Sequence, residues 1–268
     1  MIERPFGRTG VDVAVIGQGT WRMGDRPDAE KAEIAALRVG IELGMTHIDT
    51  AEMYADGGAE RIVARAIRGR RDDVFLATKV LPQNASYAGT IAACEASVKR
   101  LGTDHVDLYL LHWWSDRHPI AETMRAMREL VRRGLTRFVG VSNFDVDQMA
   151  QALAALGDIP LACNQVLYHL RDRGIKRDVL PWCSRRRVAV VGYTPLARGG
   201  YLQSGPVAEI ARARRVTPRQ VVLSFLTRRP ALFTIPKASQ PDHVRENAAA
   251  LDVKLTRDEI ARIDAAVT

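Results

Sequence analysis

The chain has 268 residues, 47% of them hydrophobic and 26% charged, a balance that allows a sizeable buried core and excludes a molecule dominated by disorder. No stretch approaches the ~18 consecutive apolar residues of a membrane span, so a cytoplasmic protein with no membrane partner is expected. The formal net charge of +8 raises nucleic-acid binding, but arginines such as Arg125, Arg128, Arg132 and Arg133 fall on helix faces without interleaved aromatics, so a solvated basic surface and no nucleic-acid partner are expected.

In chain order, residues 1–15 read as a short preface, a hairpin turning at Arg8 to Gly10 that plugs the floor of the main domain. Eight runs rich in Val, Ile and Leu then alternate with amphipathic stretches, ending near Gly19, Asp49, Lys79, His112, Asn143, Gln165, Tyr193 and Lys237. That is the pattern of repeated βα units around a parallel sheet. After the third run, Ile91, Cys94, Ala96, Val98 and Leu101 recur at helical spacing and stop at Gly102. The connection after the fourth run is short, about Trp113 to Pro119. Two helical pieces separate the seventh and eighth runs, near Val207 to Arg214 and Pro218 to Arg228, the second opened by Thr217 as cap and Pro218 at the first helical position. A helix starts near Gln240, and Thr256 with Glu259 makes a capping box for the last one. Cys94, Cys163 and Cys183 are odd in number and far apart, which suits buried small hydrophobes rather than disulfides or a zinc cluster. No linker is visible, and eight parallel strands in one domain over residues 1–268 predict a closed (β/α)8 TIM barrel of the α/β class, expected as a monomer.

Asp49, Lys79, His112, Asn143, Gln165 and Tyr193 put hydrogen-bonding or titratable groups at the ends of their runs, and in a (β/α)8 barrel that C-terminal rim carries the chemistry. Asp49 and Lys79 would meet there, since buried charges need pairing. A lysine favours the anion of a nearby phenol and so lowers its pKa, and Tyr54, five residues past Asp49, is the phenol within reach. His112 can orient a carbonyl oxygen or relay a proton to it. Singly, each has an ordinary structural explanation; together, on three strand ends and one adjoining loop, they read as a catalytic site. Trp21, Met53, Trp113 and Trp114 crowd the neighbouring loops and indicate an apolar substrate pocket, with Trp114 as readily a packing residue.

Gly19-Thr20-Trp21, Asp49-Thr50-Ala51-Glu52-Met53-Tyr54, the strand-end Lys79, Leu110-Leu111-His112-Trp113 and Gly140-Val141-Ser142-Asn143 resemble, in order and spacing, the aldo-keto reductase family, over essentially Pro5 to Val267. The resemblance implies reduction of aldehydes and ketones by hydride transfer from NADPH. It makes Asp49, Tyr54, Lys79 and His112 the catalytic set, with Tyr54 as general acid, and puts Trp21 and Trp113 at positions that flank the substrate, where Met53, Tyr54 and His112 are expected as further contacts. It also places a nicotinamide cofactor along the rim, on Gly19, Thr20, Trp21 and Asp49. Ser142, Asn143 and Gln165 would hold its carboxamide, and Tyr193 would offer a flat face to the ring. Pro195, Leu196, Arg198 and Gly199, followed by Gly200, would form one phosphate wall. Ile235, Pro236, Lys237, Ala238, Ser239, His243, Glu246 and Asn247 would form the other, with NADPH favoured over NADH through Lys237, Ser239 and His243.

Two departures from the family pattern matter. Loops and tail are short, so the pocket should be open and its selectivity broad. Ala238 and His243 stand where many members have serine and arginine. Two rival readings remain at this point. His47 and Asp49 alternate along one strand, as ligands of a metal-dependent hydrolase on the same barrel would, though the other strand ends supply no further ligands and no metal is expected. The chain could also be a cofactor-binding interaction module with little turnover.

Overall fold

The computed structural model describes residues 2–199 and 204–266. It opens with an antiparallel hairpin of β1 (Glu3–Pro5) and β2 (Asp12–Ala14), Glu3 facing Ala14. Gly7 and Gly10 give the connecting turn its positive φ angles, at the place the sequence indicates. The turn drives Phe6, fully buried, against His47, Phe75 and Phe233 at ring separations of 5.9, 5.2 and 5.0 Å. The hairpin therefore closes the lower end of the barrel.

The remaining elements run in order: β3 (Gln18–Gly19), α1 (Glu30–Glu42), β4 (His47–Asp49), α2 (Gly58–Ala66), β5 (Phe75–Val80), α3 (Tyr87–Leu101), β6 (Val106–Leu111), α4 (Ile120–Arg132) and β7 (Thr136–Ser142). Then come α5 (Val146–Leu156), β8 (Leu161–Leu167), α6 (Val179–Arg186), β9 (Ala189–Tyr193), α7 (Gly205–Arg214), α8 (Pro218–Leu226), β10 (Leu232–Thr234), α9 (Pro241–Ala248) and α10 (Arg257–Ala265). Strands β3 to β10 form one eight-stranded sheet in sequence order, each pair parallel. Its ends meet through the parallel bridges Ile16–Thr234 and Gly19–Lys237, with the Gly17 amide donating to the Thr234 carbonyl at 2.8 Å. These bridges close the barrel, which alternation of strands and helices could not establish alone.

Local chemistry explains the boundaries. Gly102 ends α3 with φ 64°, and reciprocal capping boxes open α8 (Thr217 with Gln220) and α10 (Thr256 with Glu259). Every residue of β5 and β6 is buried, because one face of each strand meets helices and the other meets the barrel interior. Leu76, Tyr109, Leu111 and Val141 pack outward against the helices; Phe75, Ala77, Leu108, Leu110 and Val191 fill the interior. The three cysteines are buried free thiols, and burial pushes Cys94 and Cys183 up to about 12, so all three are inert packing groups as the sequence indicates. Met1, Gly200, Tyr201 and Val267 lie outside the described residues.

Candidate active site

Side chains alternate along a strand, so the polar groups at the rim are the next inward-pointing positions above buried columns, apolar except at His47. Asp49 follows His47, Lys79 follows Phe75 and Ala77, His112 follows Leu108 and Leu110, and Gln165 follows Cys163. The strands stop at unequal heights around this rim. Asp49 and Tyr193 end their strands, His112 and Asn143 lie one residue beyond theirs, and Lys79 and Gln165 lie inside theirs. Lys237 lies beyond β10, where only the isolated bridge to Gly19 continues the pairing.

Lys79, fully buried, donates from Nζ to Asp49 Oδ1 and to the Thr50 carbonyl, both at 2.7 Å. The other Asp49 oxygen, Oδ2, accepts from Gln165 Nε2 at 2.8 Å. Burial opposes the charge on Lys79, but Asp49 and Tyr54 outweigh it and hold the pKa above the ordinary lysine value, so the ammonium persists. Its Nζ sits 5.2 Å from the centre of the Tyr54 ring, and that ring lies 5.8 Å from His112, edge to face.

The electrostatics correct one expectation. Burial raises the Tyr54 pKa; the charge of Lys79 and its hydrogen bond lower it and Asp49 raises it, with a net rise above the ordinary phenol value. Lys79 therefore limits the rise without reversing it. His112 is driven down to about 3, first by burial and then by Lys79, which leaves a neutral imidazole with Nδ1 buried and unpartnered. It can orient an oxygen, but at neutral pH it has no spare proton to relay.

Above this cluster lies a cleft of about 680 Å³. Trp21, Met53 and Trp113 stand at its mouth, each exposed by a third or more. Trp114 does not line it and instead donates from its indole to the His118 carbonyl. On the opposite side Asn143 adopts φ 61° and donates from Nδ2 to the His112 carbonyl at 3.1 Å and Ser142 Oγ at 3.2 Å. Its Oδ1 accepts from the Tyr193 hydroxyl at 2.9 Å, which sets the plane of the Tyr193 ring.

Thr20, Pro195, Leu196, Arg198, Gly199, Ile235, Pro236 and Lys237 line the same cleft, as their expected contacts with a cofactor require. Ser142, Ala238, Ser239, His243, Glu246 and Asn247 do not line it. Of these, Ser239 accepts from Lys237, His243 is exposed on α9, and Asn247 is fully buried with both amide atoms unpartnered. Three further residues that sequence reasoning misses, Arg22, Thr194 and Arg219, also line the cleft. The guanidinium groups of Arg22 and Arg198 lie 4.9 and 5.7 Å from the Trp21 ring. A sequence signal exists for Arg22, since it directly follows Trp21; none marks Arg219, whose position depends on how α8 meets the barrel.

These residues fit an extended polyanion with an aromatic end. Arg22, Arg198, Arg219 and Lys237 face the cleft, while Asp49, its one lining carboxylate among the described residues, is committed to Lys79 and Gln165. Backbone strain gathers here as well. Arg22, Ala55, Asp56, Asn143, Thr194, Ala197 and Arg198 have positive φ in the rim loops, a conformation that costs roughly 1–3 kcal/mol each and persists only where the surrounding structure imposes it. The hydrolase reading finds no such fit. His47 is packed edge-on between Phe6 and Phe75 one layer below Asp49, and no group of three or more candidate metal ligands occurs among the described residues.

Comparison with known proteins agrees with this geometry. The pattern of the Aldo/keto reductase family matches residues 15–268. Methylglyoxal reductase YeaE of Escherichia coli (strain K12) is 48% identical over 261 residues, covering 96% of this chain and 92% of that protein. An aldo-keto reductase from Klebsiella pneumoniae, solved in complex with NADPH, is 46% identical and superposes with a TM-score of 0.94 over 100% of this chain and 96% of its own. An aldo/keto reductase from the same organism in complex with NADP and acetate gives 0.93, with 46% identity over 99% and 95%. With the fold, the rim cluster and these likenesses in agreement, the chain belongs to the aldo/keto reductase family and is an oxidoreductase acting on carbonyl groups.

Proposed function

We propose that this chain reduces α-oxoaldehydes and other small reactive carbonyl compounds to alcohols with NADPH, and that Tyr54 gives the proton. The observation that carries this reading is the Asp49–Lys79–Tyr54–His112 cluster on the floor of a cleft with an apolar mouth and a cationic wall. NADPH, when bound, supplies the hydride.

The residues of the chain do the rest. Gln165, with Nε2 given to Asp49, keeps Oε1 free to accept from the cofactor's carboxamide. Asn143, whose Nδ2 is committed, offers the remaining lone pair of Oδ1, with Ser142 beside it. Tyr193, its hydroxyl tied to Asn143, presents a fixed ring face. Arg22, Arg198 and Lys237 would hold the phosphates along the wall, and Glu246 and Asn247 of α9 would meet the adenosine end. The buried Asn247 amide has no partner of its own, and an adenine edge offers both a donor and an acceptor.

At the reacting end, His112 donates from Nε2 to the substrate carbonyl and holds that oxygen beside the Tyr54 hydroxyl. Burial keeps the phenol protonated at neutral pH, so the proton is available when negative charge gathers on the oxygen. Lys79 then stabilises the phenolate left behind, and Asp49 keeps Lys79 charged. Lys79 thus acts after proton transfer more than before it.

The mouth of Trp21, Met53 and Trp113 provides area and few directional contacts. A pocket of that kind discriminates weakly between shapes, so the intrinsic reactivity of the carbonyl ranks substrates, and an aldehyde activated by an adjacent ketone ranks first. The activity for which the Escherichia coli relative is named, methylglyoxal reduction, is of that class. NADPH consumption against methylglyoxal, phenylglyoxal, benzaldehyde and simple alkanals tests this. Both glyoxals should exceed the alkanals in kcat/KM; equal rates across the panel, or no consumption with any member, would overturn it.

A further inference from the structure

Among the described residues four cations face the cleft, and they are not equivalent. Arg22 and Arg198 flank Trp21, near the reacting end. Lys237 lies beyond β10, at the isolated bridge to Gly19, and donates to Ser239. Arg219 comes from a different element, the first turn of α8, and crosses to α9, where its Nη1 pairs with Glu246 Oε2 at 3.2 Å. Both side chains of that pair are largely covered, at 23% and 22% exposure. The Arg219 Nε is buried with no hydrogen-bond partner. Next to Glu246 on α9 is Asn247, whose amide is likewise unpartnered. Two buried, unsatisfied polar groups on facing helices are costly for a protein to keep, and one of them, Arg219, lines the cleft.

His243, by contrast, is exposed on α9 and off the cleft wall. Beyond Lys237, the strong fixed charge facing this part of the cleft is therefore Arg219. A guanidinium is always charged and presents a planar fork of donors suited to phosphate oxygens. Glu246 holds one arm of that fork, and Arg219 itself lines the cleft. We propose that Arg219 is a specificity-determining residue, its guanidinium braced by Glu246 to receive the 2′-phosphate that distinguishes NADPH from NADH. The proposal rests on placing the adenosine end toward α9.

Titration of tryptophan fluorescence with NADPH and with NADH, on the wild type, Arg219→Gln, Arg219→Lys and Asn247→Leu, tests it without reference to turnover. Loss of a charge-assisted phosphate contact should weaken NADPH binding by roughly ten- to hundredfold in Arg219→Gln. NADH affinity should stay within a few-fold and serve as the control for folding. Arg219→Lys should recover part of the loss, and added salt should narrow the difference between wild type and Arg219→Gln. Equal weakening of both cofactors in Arg219→Gln would overturn the proposal, because the guanidinium would then serve the shared pyrophosphate or adenine. Unchanged NADPH affinity would overturn it too. If Arg219→Gln is selective while Asn247→Leu binds both cofactors normally, the 2′-phosphate assignment stands and the placing of adenine beside Asn247 fails.

Discussion

On the proposed mechanism, removing the Tyr54 hydroxyl takes away the proton donor and its hydrogen bond with Lys79, while the ring keeps its packing against Lys79 and His112. The neighbouring charges predict how the acid should respond to pH. Reduction needs the protonated phenol, so the rate falls as pH rises through the Tyr54 pKa, which burial holds above the ordinary value. Replacing Lys79 by Met removes the influence that lowers that pKa, and adding Asp49→Asn avoids leaving a buried carboxylate unpaired. The charge of Lys79 acts more strongly on Tyr54 than that of Asp49. In the double variant the falling limb of the kcat profile should therefore move to higher pH while the plateau drops; a shift to lower pH would contradict this coupling. His47 has a different consequence. Burial draws its pKa down from 6.5 to about 4, so between those values the unfolded chain binds a proton that the native chain refuses. Its stability is whole above pH 6.5 and falls toward pH 4 by about 3 kcal/mol. Neither ring nitrogen has a partner, so His47→Leu should cost little at pH 7 and flatten the loss of stability on acidification. Denaturant unfolding of both proteins from pH 7 to 4 measures this, and identical slopes would refute it.

Among the elements, α10 is held by the Thr256 capping box and by Arg214 of α7, which grips Glu259 with two hydrogen bonds of 2.6 Å. Thr256→Ala should cost about 1 kcal/mol in urea unfolding. Phe6→Ala, which empties the barrel plug, should cost about 3–5 kcal/mol yet leave kcat of the folded protein unchanged, since the plug and the rim lie at opposite ends. The eight strand positions, the caps at Thr217, Thr256 and Gly102, and the hairpin turn are all legible in the sequence, because they depend on near neighbours along the chain. The capping box of Asp145 and Gln148 that opens α5 carries the same kind of local signal. The positive φ angles of Arg22, Asn143, Thr194 and Arg198 are not legible, because no glycine marks them and only packing around the rim imposes them.

At the scale of the whole molecule, the alternation of strands and helices indicates a barrel, and its closure rests on pairing between segments more than two hundred residues apart, such as Ile16 with Thr234. The same distance separates what can be read of the site from what cannot. Asp49, Lys79, His112 and Gln165 are legible as polar ends of apolar runs, and Tyr54 by its place in the loop after Asp49. The upward pull of burial on Tyr54 depends on three-dimensional surroundings, as does the approach of Arg219 to Glu246. The proton-transfer assignment is tested most directly by single-turnover reduction of methylglyoxal with saturating NADPH, comparing wild type with Tyr54→Phe and measuring NADPH affinity alongside. The expected result is a rate lower by roughly 10²- to 10⁴-fold with cofactor affinity within a few-fold of wild type. A Tyr54→Phe rate within a few-fold of wild type would contradict Tyr54 as the proton donor.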